Sequence, residues 1–427
     1  MNYTQNFKIE QVKESTLVVG IDIGSQTHFA RAFDWRGREL TKKVFSFSSS
    51  LEGFINFHDW VKQICERNGK TDVLLGCEPT GHYWFTFEKY VREQGMKLAF
   101  VNPYHVKKSK EMDDNSPKKT DRKDPKTIAK LLVEGRYSIP YVPEGIYAEL
   151  REVVSSRDRI LKEHNAASNR IQRWLKIYFP EYLDVYKRFD AESGFLVLEQ
   201  ACLPKDVIAL GADSINKIWR KHKLRAVGIR RAATLVEAAH NSVGIVGGEG
   251  ARCELQLLLE DYKTKQNQLE KVTQSMEKLV MQVPYVEKLL AIKGVGLVTI
   301  AGFLSEVGDI GRFDSPKQIQ KLAGLELVEN SSGKHKGQTT ISKRGRRKLR
   351  KILYQVVLPL IGRNAEFCEV YDYYRTRIKN PLKGRQAMMV ISCKLIRVFY
   401  AILTTGVDYD GQRMLSDIRR PEEVKAA

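Results

Sequence analysis

The sequence has little of what marks secreted, membrane-spanning or zinc-built proteins. Its six cysteines, at 65, 77, 202, 253, 368 and 393, are scattered, with no CxxC pair. That spacing argues against a disulfide scaffold and a structural zinc site, and suits a reducing cytoplasm. The eight histidines show no HxxxH or HxH spacing, so a metal acting here must be held by carboxylates. The opening residues carry no apolar core of a signal peptide. No uncharged apolar run reaches the ~18 residues of a membrane span. The nearest, Met388–Val407, is broken by Lys394 and Arg397 and is expected to be a buried helix with snorkelling cations. The GxxxxGK[ST] pattern is absent as well, which leaves nucleotide hydrolysis without support.

What the chain has is positive charge. Its 427 residues carry 71 Lys+Arg against 51 Asp+Glu, a net charge of +20, which points to a polyanionic partner. Nucleic acid leads and a membrane surface is the weaker choice. Hydrophobic residues make up 42%, enough for globular cores, and the length suggests two to four structural units.

Thr16–Asp34 reads as a buried β-branched strand, a turn and a second strand, with a third expected over Leu40–Phe47. Leu51–Asn68 has helical periodicity and Gly69 as its stop. Asp72–Cys77 and Lys97–Val101 read as short strands flanking a helix at Trp84–Gly95. Hairpins followed by strand–helix alternation argue for a mixed α/β domain over residues 1–145. Lys107–Thr120 lies in a charged stretch without aliphatic residues and is expected to be a loop. Two long amphipathic helices, Ile146–Tyr178 and Glu254–Val283, suit either an antiparallel coiled coil or ordinary packing in their own domain. They bracket less readable short helices at about 185–250. A mainly helical domain follows over 284–405, then a tail over 406–427.

Three constellations can carry chemistry. Asp22 within an apolar strand, Glu78 at the end of another, and Asp121 and Asp124 at a helix start can converge on one or two Mg²⁺, a hard ion that takes oxygen ligands. Each acid also has a structural reading, as the partner of a buried cation or as a helix cap. Next, Ser331 and Ser332 precede a glycine in a loop, and residues 334–351 contain nine Lys/Arg and no acid. Exposed Ser-Gly loops are usually turns, yet a serine in such a field is where a hydroxyl attacks a phosphodiester. Lys334, Lys336, Lys343, Arg344, Arg346 and Arg347 are the expected phosphate contacts. Last, the Lys293-Gly-Val-Gly296 turn opens a helix whose backbone N–H groups can meet a phosphate, with Lys293, Gly294 and Gly296 as contacts; a plain helix turn is the alternative.

At these residues the sequence resembles a known family. Gly20-Ile-Asp-Ile-Gly24, Glu78-Pro-Thr-Gly-His-Tyr83, Asn102-Pro103 and Thr120-Asp-Arg-Lys-Asp124 resemble the N-terminal domain of IS110/IS1111-type transposases. Ile292-Lys-Gly-Val-Gly296, Leu322-Ala-Gly-Leu325, Ser331-Ser-Gly333 and Ile341-Ser-Lys-Arg-Gly345 are similar to the family's C-terminal transposase domain. The resemblance implies an α/β plus α protein: an N-terminal RuvC-like RNase H fold with a D-E-D-D set, a helical coiled-coil middle and a mainly helical C-terminal domain. It implies that Asp22, Glu78, Asp121 and Asp124 bind Mg²⁺, with Mn²⁺ substituting. It makes Ser332, or less favourably Ser331, the DNA nucleophile of a phosphoserine link. It also implies a composite site formed between subunits of a dimer or tetramer, double-stranded DNA as substrate, and a structured guide RNA from the element's non-coding end. The expected setting is a prokaryotic cytoplasm, with the nucleoid and not a membrane.

Three other readings stand beside it. One is a protein-only site-specific invertase using the same chemistry. Another is a RuvC-like junction nuclease in which water attacks. The third is a non-catalytic nucleic-acid-binding protein whose acids are structural.

Overall fold

The computed structural model describes residues 5–113, 124–329, 331–332, 335–337, 339–416 and 418. The chain divides into two compact units between Val142 and Pro143. The first is a six-stranded sheet with helices on both faces. Its elements are α1 (Gln5–Glu10), β1 (Thr16–Asp22), β2 (Thr27–Phe33), β3 (Phe45–Ser48), α2 (Leu51–Asn68), β4 (Asp72–Cys77), α3 (Trp84–Glu93), β5 (Lys97–Val101), α4 (Pro103–Asp113), α5 (Asp124–Val133) and β6 (Tyr137–Ser138). The strand order is β3-β2-β1-β4-β5-β6. The central strands β1, β4 and β5 are parallel, while β2, β3 and β6 run antiparallel to their neighbours.

The unbroken apolar run of β1 follows from burial on both faces. Leu17, Val19 and Ile21 join Phe47, Phe57, Val61, Phe87 and Val91 on one side. Val18 packs with Ile128, Ala129 and Leu132 of α5 on the other, as the two-residue period of a strand requires. Two expectations are corrected here. The third strand is shorter and later than Leu40–Phe47, because the exposed Lys42 and Lys43 interrupt it and only a single bridge joins Phe33 to Glu39. Within the expected loop at Lys107–Thr120, residues 107–113 are helical. Asn102 Oδ1 accepts from Tyr104 N at 2.9 Å, Pro103 occupies the first turn, and Lys108 pairs with Glu111 at 2.8 Å. A helix resting on capping and one ion pair, with Val106 buried beneath, gives no apolar periodicity to read.

The second unit is helical. α6 (Gly145–Tyr178) is followed by α7 (Tyr182–Val185), α8 (Glu192–Leu198), α9 (Pro204–Lys221), α10 (Ile229–His240) and α11 (Glu249–Val280). α6 and α11 form an antiparallel pair: Arg157 Nε donates to Thr273 Oγ1 at 3.1 Å, Glu163 meets Lys265 at 2.8 Å, and Trp174 Nε1 donates to Ala251 O at 3.0 Å. Each end of this pair enters a different hydrophobic core. Ala167, Ile171, Trp174 and Leu255 pack with α7–α10. Leu150, Val154, Met276 and Val280 pack with the C-terminal helices.

Those helices are α12 (Val286–Leu290), α13 (Leu297–Val307), α14 (Pro316–Leu322), α15 (Arg347–Arg363), α16 (Ala365–Thr376), α17 (Gly384–Thr405) and α18 (Gly411–Leu415). Four two-residue strands lie between α14 and α15: β7 (Leu327–Val328), β8 (Ser331–Ser332), β9 (His335–Lys336) and β10 (Thr340–Ile341). By length and composition α17 could cross a membrane. Here it is a core helix, burying Ile391, Leu395, Ile396 and Phe399. Lys394 does not snorkel as expected. It is buried, and its Nζ donates to Met414 O at 3.1 Å, while Arg397 is exposed.

Candidate active site

The carboxylates of the first unit are placed by strand register. β1 and β4 pair in parallel up to Ile21 opposite Cys77, so Asp22 and Glu78 are the next residues at neighbouring carboxyl ends. That is the edge at which open α/β sheets carry their sites. Alternation puts Val18, Gly20 and Asp22 on one face of β1, and Leu74, Gly76 and Glu78 on the same face of that edge. It is the face covered by α5, because Val18 and Leu74 belong to the α5 core.

Two glycines let α5 come close enough to complete the group. A Cβ at Gly20 would lie 1.9 Å from Pro125 O, and one at Gly76 would lie 2.5 Å from Leu132 Cδ1. The first turn of α5, which begins with Asp124, therefore rests directly on β1, two residues from Asp22. Asp124 is paired with the Lys110 ammonium from α4, a residue that no sequence pattern singles out. The Glu78 carboxyl is pushed up by burial; Lys110 opposes this and Asp124 adds to it. Cys77 is buried behind the pair, and its thiol is raised by burial, then by Glu78 and Asp22. Glu78 and Asp124 thus feel one another with Lys110 beside them, and Glu78 and Asp22 both act on the Cys77 thiol.

Asp121, the fourth acid of the predicted set, lies outside the described residues. Among the described residues, no three His, Cys, Asp or Glu side chains are gathered tightly enough to hold a metal ion. The chemistry of the group nevertheless fits a hard divalent cation. Its donors are all carboxylate oxygens, burial and then Asp124 disfavour the charge at Glu78, and a positive group already sits on Asp124.

The second unit carries the serines on a small β arm. Ser331 and Ser332 form β8, paired antiparallel with β9 as Ser331 opposite Lys336 and Ser332 opposite His335. The two serines, expected in a loop, are thus paired as a strand. Beneath it β7 and β10 pair through Val328–Thr340 and Leu327–Ile341. The arm grows from a joint in which backbone meets backbone. Ser342 N donates to Glu326 O at 2.8 Å, Lys343 N to Gly324 O at 3.0 Å, and Arg346 N to Leu322 O at 2.7 Å. A Cβ at Gly345 would lie 2.4 Å from Leu322 O. The Leu322–Leu325 and Ile341–Gly345 motifs are two halves of one structure.

The basic run beside the arm is divided in its tasks. Lys343, Arg344 and Arg347 are exposed. Arg346 is turned inward, donating to Glu306 O at 2.6 Å and lying 3.4 Å from its carboxylate. Lys348 pairs with Asp158 at 2.8 Å and Arg350 donates to Ala323 O at 2.8 Å. Lys336 is in β9, and Lys334 lies outside the described residues. At the glycine turn Lys293 is exposed. Gly294 has φ +96°, and a Cβ there would lie 2.8 Å from Leu360 Cα, so it serves packing against α15. Gly296 caps α13 with open space around its Cα, which leaves that helix start accessible.

Comparison with known proteins agrees with this arrangement. A model of the DEDD transposases of the IS110 type matches residues 19–180, and a model of the IS116/IS110/IS902 transposase family matches residues 286–372. An uncharacterized 44.8 kDa protein of insertion element IS116 from Streptomyces clavuligerus is 23% identical over 396 residues, covering 90% of this chain and 94% of that protein. The corresponding 43.6 kDa protein of IS110 from Streptomyces coelicolor is 23% identical, covering 75% and 79%. The transposase for insertion sequence element IS1111A of Coxiella burnetii is 23% identical, covering 79% and 78%. With both family segments present in order and the carboxylates at one sheet edge, the chain belongs to the IS110 family of insertion-sequence transposases, enzymes that cut and rearrange DNA.

Proposed function

We propose that this transposase exchanges DNA strands through a covalent phosphoserine intermediate, guided by a structured RNA from the non-coding end of its element. The observation that carries the reading is the placement of Asp22 and Glu78 at the neighbouring carboxyl ends of β1 and β4, on the face covered by α5, whose first residue is Asp124. The sheet order, with an antiparallel hairpin on one side of three parallel strands, supports a RuvC-like domain. In this reading Asp22, Glu78, Asp124 and Asp121 hold Mg²⁺ or Mn²⁺, which when bound supplies positive charge for the attacking and leaving oxygens. Ser332 Oγ attacks the phosphorus, the Oγ–P bond forms as the bond to one deoxyribose oxygen breaks, and the freed hydroxyl takes the proton. A sugar hydroxyl of the exchanged strand then attacks the same phosphorus and restores the serine. No nucleotide is required, because the covalent link conserves the phosphodiester. Lys343, Arg344 and Arg347 hold the backbone, and several protomers assemble on the DNA.

The test is Ser332→Ala in the full chain, purified with the native flanks of its element. The expected result is loss of the covalent protein–DNA adduct and of strand transfer, with DNA binding and thermal stability retained. Undiminished hydrolytic cleavage by that variant would replace the reading with a junction nuclease using water. A single co-purifying RNA derived from a flank is expected, and recovery of only heterogeneous cellular RNA would remove RNA guidance from it.

A further inference from the structure

Between α6 and α11 the chain inserts α7–α10, most of it within residues 181–285, a stretch that neither family segment covers. Its charge is concentrated at one place. Residues 214–236 hold Lys217, Arg220, Lys221, Lys223, Arg225, Arg230 and Arg231 and no acid, contributing seven of the chain's twenty net positive charges. All seven are exposed, and none of the ion pairs found among the described residues involves them. They lie at the end of α9, on the α9–α10 turn and at the start of α10. This is the end of α9 opposite the Asp206–Arg252 ion pair (2.6 Å) that ties its beginning to α11.

The turn is held in shape from below. Trp219 is fully buried, and its Nε1 donates to Ser193 O at 2.7 Å. Leu224 N closes onto Trp219 O at 3.0 Å, while Ile215, Ala232 and Leu235 fill the core beneath. Lys223 has φ +56° and Ala226 φ +59°, where glycine is the unstrained choice. The turn thus keeps a lysine at a position that costs backbone strain. Like charges gathered without counter-ions repel one another, and an anion brought to the patch relieves that repulsion.

We propose that the α9–α10 turn is a nucleic-acid contact that grips the phosphodiester backbone of a duplex. A duplex fits better than unpaired bases because the patch exposes no Trp, Tyr or Phe for stacking, His222 being its exposed ring. Its large aromatic ring, Trp219, is buried, and Tyr186 lies under Arg231 in a cation–π contact. Phosphate contacts from lysine and arginine need no base edge, so the surface positions a duplex without reading its sequence. The same chemistry serves a DNA duplex or a folded RNA helix. The inference rests on the chain's being a nucleic-acid enzyme, and adds to it a surface built on a different hydrophobic core from the one packed by the C-terminal helices.

The full chain carrying Lys221→Gln, Lys223→Gln and Arg225→Gln tests it against a control of equal charge loss, Lys42→Gln, Lys62→Gln and Arg67→Gln, all exposed in the first unit. Binding of a fluorescent 30-base-pair DNA duplex and of an RNA duplex is followed by anisotropy from low to high salt. The patch variant is expected to bind at least one duplex about tenfold more weakly than the control does. Its salt slope should fall by roughly 0.9 for each phosphate that is no longer neutralised. Weakening confined to DNA identifies DNA as the ligand, and weakening confined to RNA identifies the RNA. Equal weakening in patch variant and control overturns the inference while leaving the proposed function standing. Absence of binding by the unsubstituted chain overturns both.

Discussion

The two units hold their candidate catalytic groups in different ways. In the first, Asp22 and Glu78 are fixed by the register of adjacent parallel strands, and Asp124 by a helix laid on glycines. Every member of the group is tied to a core. In the second, Ser331 and Ser332 are carried on two-residue strands above a backbone joint. A sheet edge places side chains through many cooperating contacts, whereas the arm depends on a few hydrogen bonds and the close approaches of Gly324 and Gly345. The carboxylates should therefore tolerate little backbone disturbance without unfolding, while the serine can be displaced with the fold intact.

The largest effect expected on that contrast is from Gly20→Val. Its side chain must push Pro125 and α5 off β1, at a cost of about 3 kcal/mol or more for forced overpacking against backbone. Thermal unfolding should show the first unit melting early, with cleavage lost alongside. Gly345→Ala should cost less, about 1–3 kcal/mol, because it loosens the joint under the arm without opening a core. Cleavage and adduct formation should fall by far more than the melting temperature. Equal stability losses in the two variants would erase the distinction between the units.

A smaller, pH-dependent effect sharpens it. His28 in β2 is fully buried among Phe47, Phe54 and Phe87, and neither ring nitrogen has a hydrogen-bond partner among the described residues. Burial pulls its imidazole down to about 4. The unfolded chain takes up a proton near pH 6.5 that the folded unit refuses. Stability is thus fully present above about 6.5 and lost as pH falls toward 4, by up to about 3 kcal/mol. Denaturant titrations should find this acid loss in the first unit and find it removed by His28→Leu. The smallest effect is from Glu78→Gln. Because burial and Asp124 disfavour the charged carboxyl, neutralising it should raise the melting temperature slightly at pH 7 while Mg²⁺-dependent cleavage disappears. A fall in melting temperature would mean that the charge stabilises the fold through Lys110.

The parts of this molecule written as periodicity were legible in the sequence. β1, β4, β5, α2, α6 and α17 bury continuous or periodic apolar faces, and their limits follow from that pattern. Asp22 stands out in the sequence because a carboxylate in such a run is costly unless something receives it. What escaped was structure held by polar and backbone contacts. α4 stands on a cap and an ion pair, and Lys110 enters the acidic group from a charged run with no distinguishing pattern. The β8–β9 pair consists of polar residues in two-residue strands, below the length at which alternation can be recognised. Gly20 and Gly345 were visible only as glycines; the approaches that require them are tertiary.

The α6–α11 pair also sets a distance. At 1.5 Å per residue, the 34 residues of α6 span about 50 Å, with a separate core at each end. The pair is a spacer between two cores, as long as roughly 15 base pairs of duplex at about 3.4 Å each. Lengthening or shortening both helices by whole turns would change the spacing between the two ends while leaving the chemistry of each untouched.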